Sequence, residues 1–417
     1  MRASSPRPRA RATRPLPRPV PPARCGATFS GMASPDLRPL PDASARAVAG
    51  ARVTGAAVVY RLYDVGYEIH LDRALDLLAT SAPERVRPVR GEAQAIQIAN
   101  PPVTVILGTE CVAIGDASVD AEVSARIFDF GVVSLRLRVP APAGAAWSAY
   151  VDFGYAVDAR TDLTPLFEHQ RRLLVERITP AIVRPALAPV AEDYVVFRLT
   201  RLVDALGVPL SVDALRDEDV APLLLSERRA LSAGARHELL PHRFSYYVDD
   251  LALVTWENAL VVDPAPEDTD VEYVLEFANA QLLELRVYDA VLDAELPAMY
   301  GRVAAARRGR RALLGRGYAA LLGALQTLVA ESTELVERVE NALKVTDDVY
   351  LARVYSAALE IFRGRTWRSG IDRKLAIIRE TYAMLNAEAQ AWRAEALEIA
   401  IIVLIVAELV VALAGGR

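Results

Sequence analysis

Gly315-Arg316-Gly317-Tyr318-Ala319-Ala320 has the spacing of a dinucleotide-binding turn. In that turn glycines let backbone amides approach a pyrophosphate, with a strand before and a helix opening after. Here Arg311–Leu314 already follows a helical pattern, so the context is missing. Asp129-Phe130-Gly131 spells a kinase triplet, yet no Gly-rich loop, strand lysine or His-Arg-Asp loop accompanies it. A hairpin turn is the better reading. The four histidines are His70, His169, His237 and His242. The last two are five apart, which misses the i,i+4 spacing of a helical metal pair. No GxSxG elbow or phosphate loop occurs, so no catalytic, cofactor or metal residues are assigned. Cys25 and Cys111 form neither a CxxC pair nor a disulfide framework, which points to a reducing compartment.

Charge offers more. Arg302, Arg307, Arg308, Arg310, Arg311 and Arg316 gather at one helix start. They are either a solvated face or a patch for anionic lipid head groups or RNA phosphate. Residues 1–46 hold nine Arg and two Asp, a charge of +7, against −5 for the whole chain. That overall sign argues against general or sequence-specific nucleic-acid binding. The same 46 residues contain ten of the 26 prolines and no apolar periodicity. They read as a disordered basic arm or as an extension upstream of a start at Met32.

The elements fall into two regimes. Residues 50–262 read as α+β with antiparallel sheet, in two ferredoxin-like units, 50–190 and 191–262. Strands are expected at Val53–Leu62, Val103–Leu107, Val112–Ile114, Val119–Ile127, Val132–Val139, Tyr194–Leu199, Phe244–Val248, Leu251–Trp256 and Ala259–Val262. Helices are expected at His70–Ala79, Leu163–Ile178 and Ser211–Leu240. From 270 to 395 the pattern is a helical bundle or coiled coil. Thr269-Asp270-Val271-Glu272 has the form of a capping box, and the first helix should end at Pro297.

The last helix carries Ile371, Leu375, Ile378, Tyr382, Leu385, Ala389, Trp392, Ala396, Ile399, Val403, Val406 and Val410 at alternating four- and three-residue steps. That is a coiled-coil seam, so self-association through Leu375, Ile378, Leu385 and Ile399 is expected. The seam runs into Ala396–Ala414, nineteen almost wholly apolar residues, read as one transmembrane helix. Glu408 would lie within the apolar layer, against lipid or a polar group of a partner.

The C-terminal third resembles the "required for meiotic nuclear division" family, also known as domain of unknown function 155. Glu340-Asn341-Ala342-Leu343-Lys344, Asp348-Val349-Tyr350-Leu351-Ala352-Arg353-Val354-Tyr355 and Ile371-Asp372-Arg373-Lys374-Leu375 carry the likeness. Glu276–Arg286 with Tyr288-Asp289, Tyr63-Asp64-Val65-Gly66 and Ile69-His70-Leu71-Asp72 extend it over about 50–417. The resemblance implies an α+β region, a helical stalk and a C-terminal membrane anchor. It also implies kinship with mitochondrial inner-membrane oligomers that tether ribosomes in organellar translation. It brings no catalytic residues.

Together these readings give a tail-anchored, self-associating membrane scaffold or tether, not an enzyme. Its main domain would be cytoplasmic, at the inner membrane if the chain is bacterial. Its partners would be membrane lipid, further copies of itself and a protein or ribosome. The alternative is an enzyme or nucleotide-binding module in residues 50–262.

Overall fold

A computed structural model describes residues 48, 50–79, 84–85, 100–159, 163–264, 270–308 and 349–415. It also describes the helical pairs 323–324, 326–327, 329–330 and 333–334. Ala43–Arg417 is one unit; Met1–Asp42, which holds most of the basic arm, lies outside the described residues.

The strands are β1 (Arg52–Asp64), β2 (Gly66–Ile69), β3 (Glu84–Arg85), β4 (Val103–Ile114), β5 (Ala117–Ile127) and β6 (Val132–Pro140). β7 (Ala145–Ala146), β8 (Ile182–Pro185), β9 (Ala191–Val203), β10 (Arg243–Phe244), β11 (Leu251–Val254) and β12 (Asn258–Val262) follow. The helices are α1 (Leu71–Leu77), α2 (Trp147–Asp158), α3 (Leu163–Ile178), α4 (Asp217–Leu225), α5 (Ala233–Leu239), α6 (Asp270–Arg308), α7 (Val349–Ile361) and α8 (Gly364–Gly415).

One sheet runs β10-β11-β12-β9-β1-β6-β5-β4-β3, with β7 also on β1. The β12–β9 pair is parallel and its other pairs are antiparallel. β9 lies between β1 and β12, so strands from 50–190 and 191–262 share a single sheet. The two short runs expected around Gly108 are one strand, β4, whose register shifts between Ile106 and Gly108. The helical stretch expected over Ser211–Leu240 is two short helices, α4 and α5.

Both faces of this sheet are covered. β1 sends Ala57, Val59 and Tyr63 into one core and Val58, Tyr60 and Leu62 into the other, the two-residue period of a strand. Helices α1–α4 cover the first face. Helices α6 and α7 cover the second. That burial explains why α6 is buried on every side from Val271 to Leu285.

Helix α6 also continues through Pro297, where the sequence suggests an end. A helical proline removes one hydrogen bond and crowds the preceding turn. Leu292 before it and Met299 and Val303 after it are buried against Ile371, Leu375, Ile378 and Leu385 of α8, which offsets that cost. Arg286 stacks on Trp367, Gly370 packs on Asp289, and Lys374 pairs with Asp289 and Asp293 at 2.7 and 2.6 Å. These pairs advance together along both helices, so α6 and α8 run parallel. Burial works against the Lys374 charge, but the two carboxylates outweigh it and raise its pKa.

The seam expected between chains therefore closes within one chain as far as Leu385. Among the described residues no helix is long and apolar enough to cross a membrane. This corrects the expected span at 396–414, which is instead the end of the 52-residue helix α8. The reason is charge. Glu395, Glu398 and Glu408 interrupt the run, leaving Ile399–Ala407 as ~14 Å of uninterrupted apolar helix.

Candidate functional site

Two regions stand out: the end of α8 and a ring-lined face beside α7. Past Leu385, α8 loses its cover. Leu397, Ile399, Ile401, Ile402, Val403, Leu404, Ile405, Val406, Leu409, Val410 and Val411 are each more than half exposed. At about 100° per residue, 401 to 404 point in four directions, so no single stripe holds them. Glu408 is exposed among them. The ion pairs set α8 about 81–85 residues ahead of α6, which places Arg308 level with about residue 390. Arg302, Arg307 and Arg308 thus stand on the helix just before the apolar end. Their side chains, and Arg310, Arg311 and Arg316, lie outside the described residues.

The second region follows α7. Tyr246 meets Tyr350 at the start of α7, with ring centroids 5.6 Å apart. Arg353 lies over Phe244, and His242 stacks on Phe244. At the other end Ile361 and Arg363 share a cavity of about 530 Å³ with His242, Trp256, Glu238 and Glu257. Arg363 has a φ of 51°, which turns the chain between α7 and α8 and sets its guanidinium over Trp256 at 5.7 Å. Asp250 is buried and accepts the amides of Tyr246 and Tyr247 at 2.7 and 3.0 Å, so the exposed tip is held in place.

A third cluster is structural. Under α6 the sheet presents Arg126, Arg198 and Glu192, which pair with Glu276, Glu272 and Arg286. Burial pushes the Glu192 carboxyl up, and Arg286 opposes that. Sequence reading missed this layer, because an arginine alternating with apolar residues in a strand usually faces water. The acids at 272 and 276, one helical turn apart, were the signal that could have found it.

The motif residues have other work. Gly131 takes a φ of 95°, and a Cβ there would sit 1.8 Å from the Gly66 carbonyl oxygen. Phe130 stacks on Phe128 and meets Phe277 edge to face. The triplet at 129–131 is therefore a packed turn. His70 lies at 3.6 Å from Glu68, His169 and His237 are exposed, and His242 borders the cavity. Among the described residues no group of three or more His, Cys, Asp or Glu could hold a metal ion. Gly315 to Ala320 lies outside the described residues.

Residues 54–269 match the family described as the N-terminal domain of uncharacterized protein MJ0711. The uncharacterized protein MJ0711 of Methanocaldococcus jannaschii is 25% identical over 181 residues, 43% of this chain and 53% of that protein. The chain spans about half the length of the curated relative it matches. No solved structure matches. These matches overturn the resemblance to the "required for meiotic nuclear division" family, and the expected link to organellar translation falls with it. The short motifs behind that likeness sit largely on helices, where apolar spacing and charge alternation recur among unrelated chains.

Proposed function

The chain belongs to the family of the MJ0711 N-terminal domain, whose description carries no activity, and we propose that it is a non-catalytic association module held to a lipid bilayer by the end of α8. The observation that carries this is the sleeve of eleven exposed aliphatic side chains between Leu397 and Val411. Withdrawing what remains exposed of them from water is worth on the order of 10 kcal/mol. Glu398 and Glu408 keep the segment from crossing the apolar layer and stay at the head groups, while the aliphatic side chains enter the interface. A second copy docking on α8 would cover one stripe and leave the rest wet. A bilayer interface takes up a wider face than one partner helix does. The arginines near the end of α6 support the same reading, because basic residues beside an apolar segment favour anionic head groups.

Vesicle flotation tests this. The full chain should float with vesicles containing phosphatidylglycerol, and a chain cut after Arg393 should not. Equal flotation of both would place lipid contact on another part of the molecule. Failure of the full chain to float would reject membrane association.

A further inference from the structure

The face beside α7 lies apart from the aliphatic end of α8. From Tyr350 to Ile361 α7 advances ~17 Å, and the segment His242–Tyr246 follows it from the cavity to the exposed tip. Tyr246, Tyr247 and Val248 are exposed at one end, and Trp256 at the other. Surface aromatics of this kind give large contact area at low entropy cost. The edge-to-face pair of Tyr246 and Tyr247, 4.8 Å between centroids, is fixed from behind by Asp250.

Charge selects among ligands for this row. Glu238 and Glu257 border the Trp256 cavity, and Asp249 adjoins the tyrosine tip. All three are exposed, and none has a cation partner among the described residues. Arg353 and Arg363 lie over Phe244 and Trp256 and are exposed, so the face carries three carboxylates against two guanidiniums. The carboxylates are in excess and stand at the two ends of the row, where a ligand's cations would meet them. An extended chain of about five residues, at ~3.3 Å each, matches the length of the row.

We propose that this face binds an extended basic peptide, its arginines or lysines toward Glu238, Asp249 and Glu257 and its backbone along the rings. Proline suits the positions between the cations, because an extended proline segment is already ordered and packs on aromatic surfaces.

The test uses the full chain in mild detergent and a short fluorescein-labelled peptide of alternating Arg and Pro, read by fluorescence anisotropy. The peptide should bind, and raised salt should weaken it. The double variant Glu238→Lys/Glu257→Lys should lower affinity by about tenfold or more. Trp256→Ala should lower it similarly. Glu238 and Glu257 are both exposed, so circular dichroism and the unfolding midpoint of the double variant should match the parent. Unchanged binding by the folded double variant would overturn the proposal. So would equal binding of an alternating Glu and Pro peptide, or binding of a single-stranded oligonucleotide in place of the basic peptide.

Discussion

Asp64 shows how much one buried group at a strand end can set. It closes β1 and accepts the Gly66 amide at 3.1 Å, and burial pushes its carboxyl up to about 6. The folded chain therefore keeps a proton between about pH 4 and pH 6 that the unfolded chain has lost. Stability from this group falls as pH rises through that window, and the cost is complete above it. Asp64→Asn keeps the carbonyl acceptor and removes the charge. The variant should exceed the parent by at most ~3 kcal/mol at pH 8 and converge with it near pH 4. Urea unfolding at both pH values reads the difference. A gap of equal size at the two pH values would show that Asp64 is not the titrating group. The buried arginines Arg126 and Arg198, by contrast, are each met out of water by a carboxylate, Glu276 and Glu272.

At the scale of elements, the first half of α8 is a core helix. Ile371, Leu375, Ile378 and Leu385 are buried against α6 of the same chain. Leu375→Asp should therefore lower the unfolding free energy by at least ~3 kcal/mol, through a charge buried without a partner. Arg379→Asp should cost less than ~1 kcal/mol, since Arg379 is exposed and donates to Thr333 at 2.8 Å. Chemical denaturation of the two variants separates the cases. An unchanged unfolding midpoint for Leu375→Asp, with a change in oligomer size alone, would return the seam to contact between chains. This element also shows the limits of sequence reading. The heptad spacing shows that a helix contacts another along one stripe, and it is silent on which helix. The two-residue period placed β5 and β6, where apolar and polar residues alternate, whereas β1 and β9 read as strands from continuous apolar runs, Val58–Tyr60 and Tyr194–Phe197. It could not show that Ser134 and Arg136, the polar positions of β6, are buried under α6. Helix α2 went unread because Trp147–Asp158 lacks a side-chain cap and follows a turn at Gly144. The Tyr246–Trp256 segment read as strands, and its value as a surface depends on α7, a hundred residues later.

Across the unit Ala43–Arg417, one helix passes through two environments. From Gly364 to Leu385, α8 is packed on α6; from 397 to 411 nothing among the described residues covers it. The backbone hydrogen bonds are those of one helix throughout, so the contrast lies in packing rather than secondary structure. Helical amides without tertiary cover open by local fraying, whereas amides within a core open only with larger units. Hydrogen exchange on the full chain should therefore divide α8. Without lipid, peptides covering 397–411 should exchange far faster than those covering 364–385. Vesicles containing phosphatidylglycerol should slow the 397–411 peptides by about tenfold or more, because fraying into a bilayer exposes unpaired backbone groups to hydrocarbon. The peptides of α6 and of the central strands β1 and β9 should not change, since their cover is already internal. Slower exchange in the strands, with 397–411 unaffected, would assign lipid contact to the α/β region and remove the end of α8 from the mechanism.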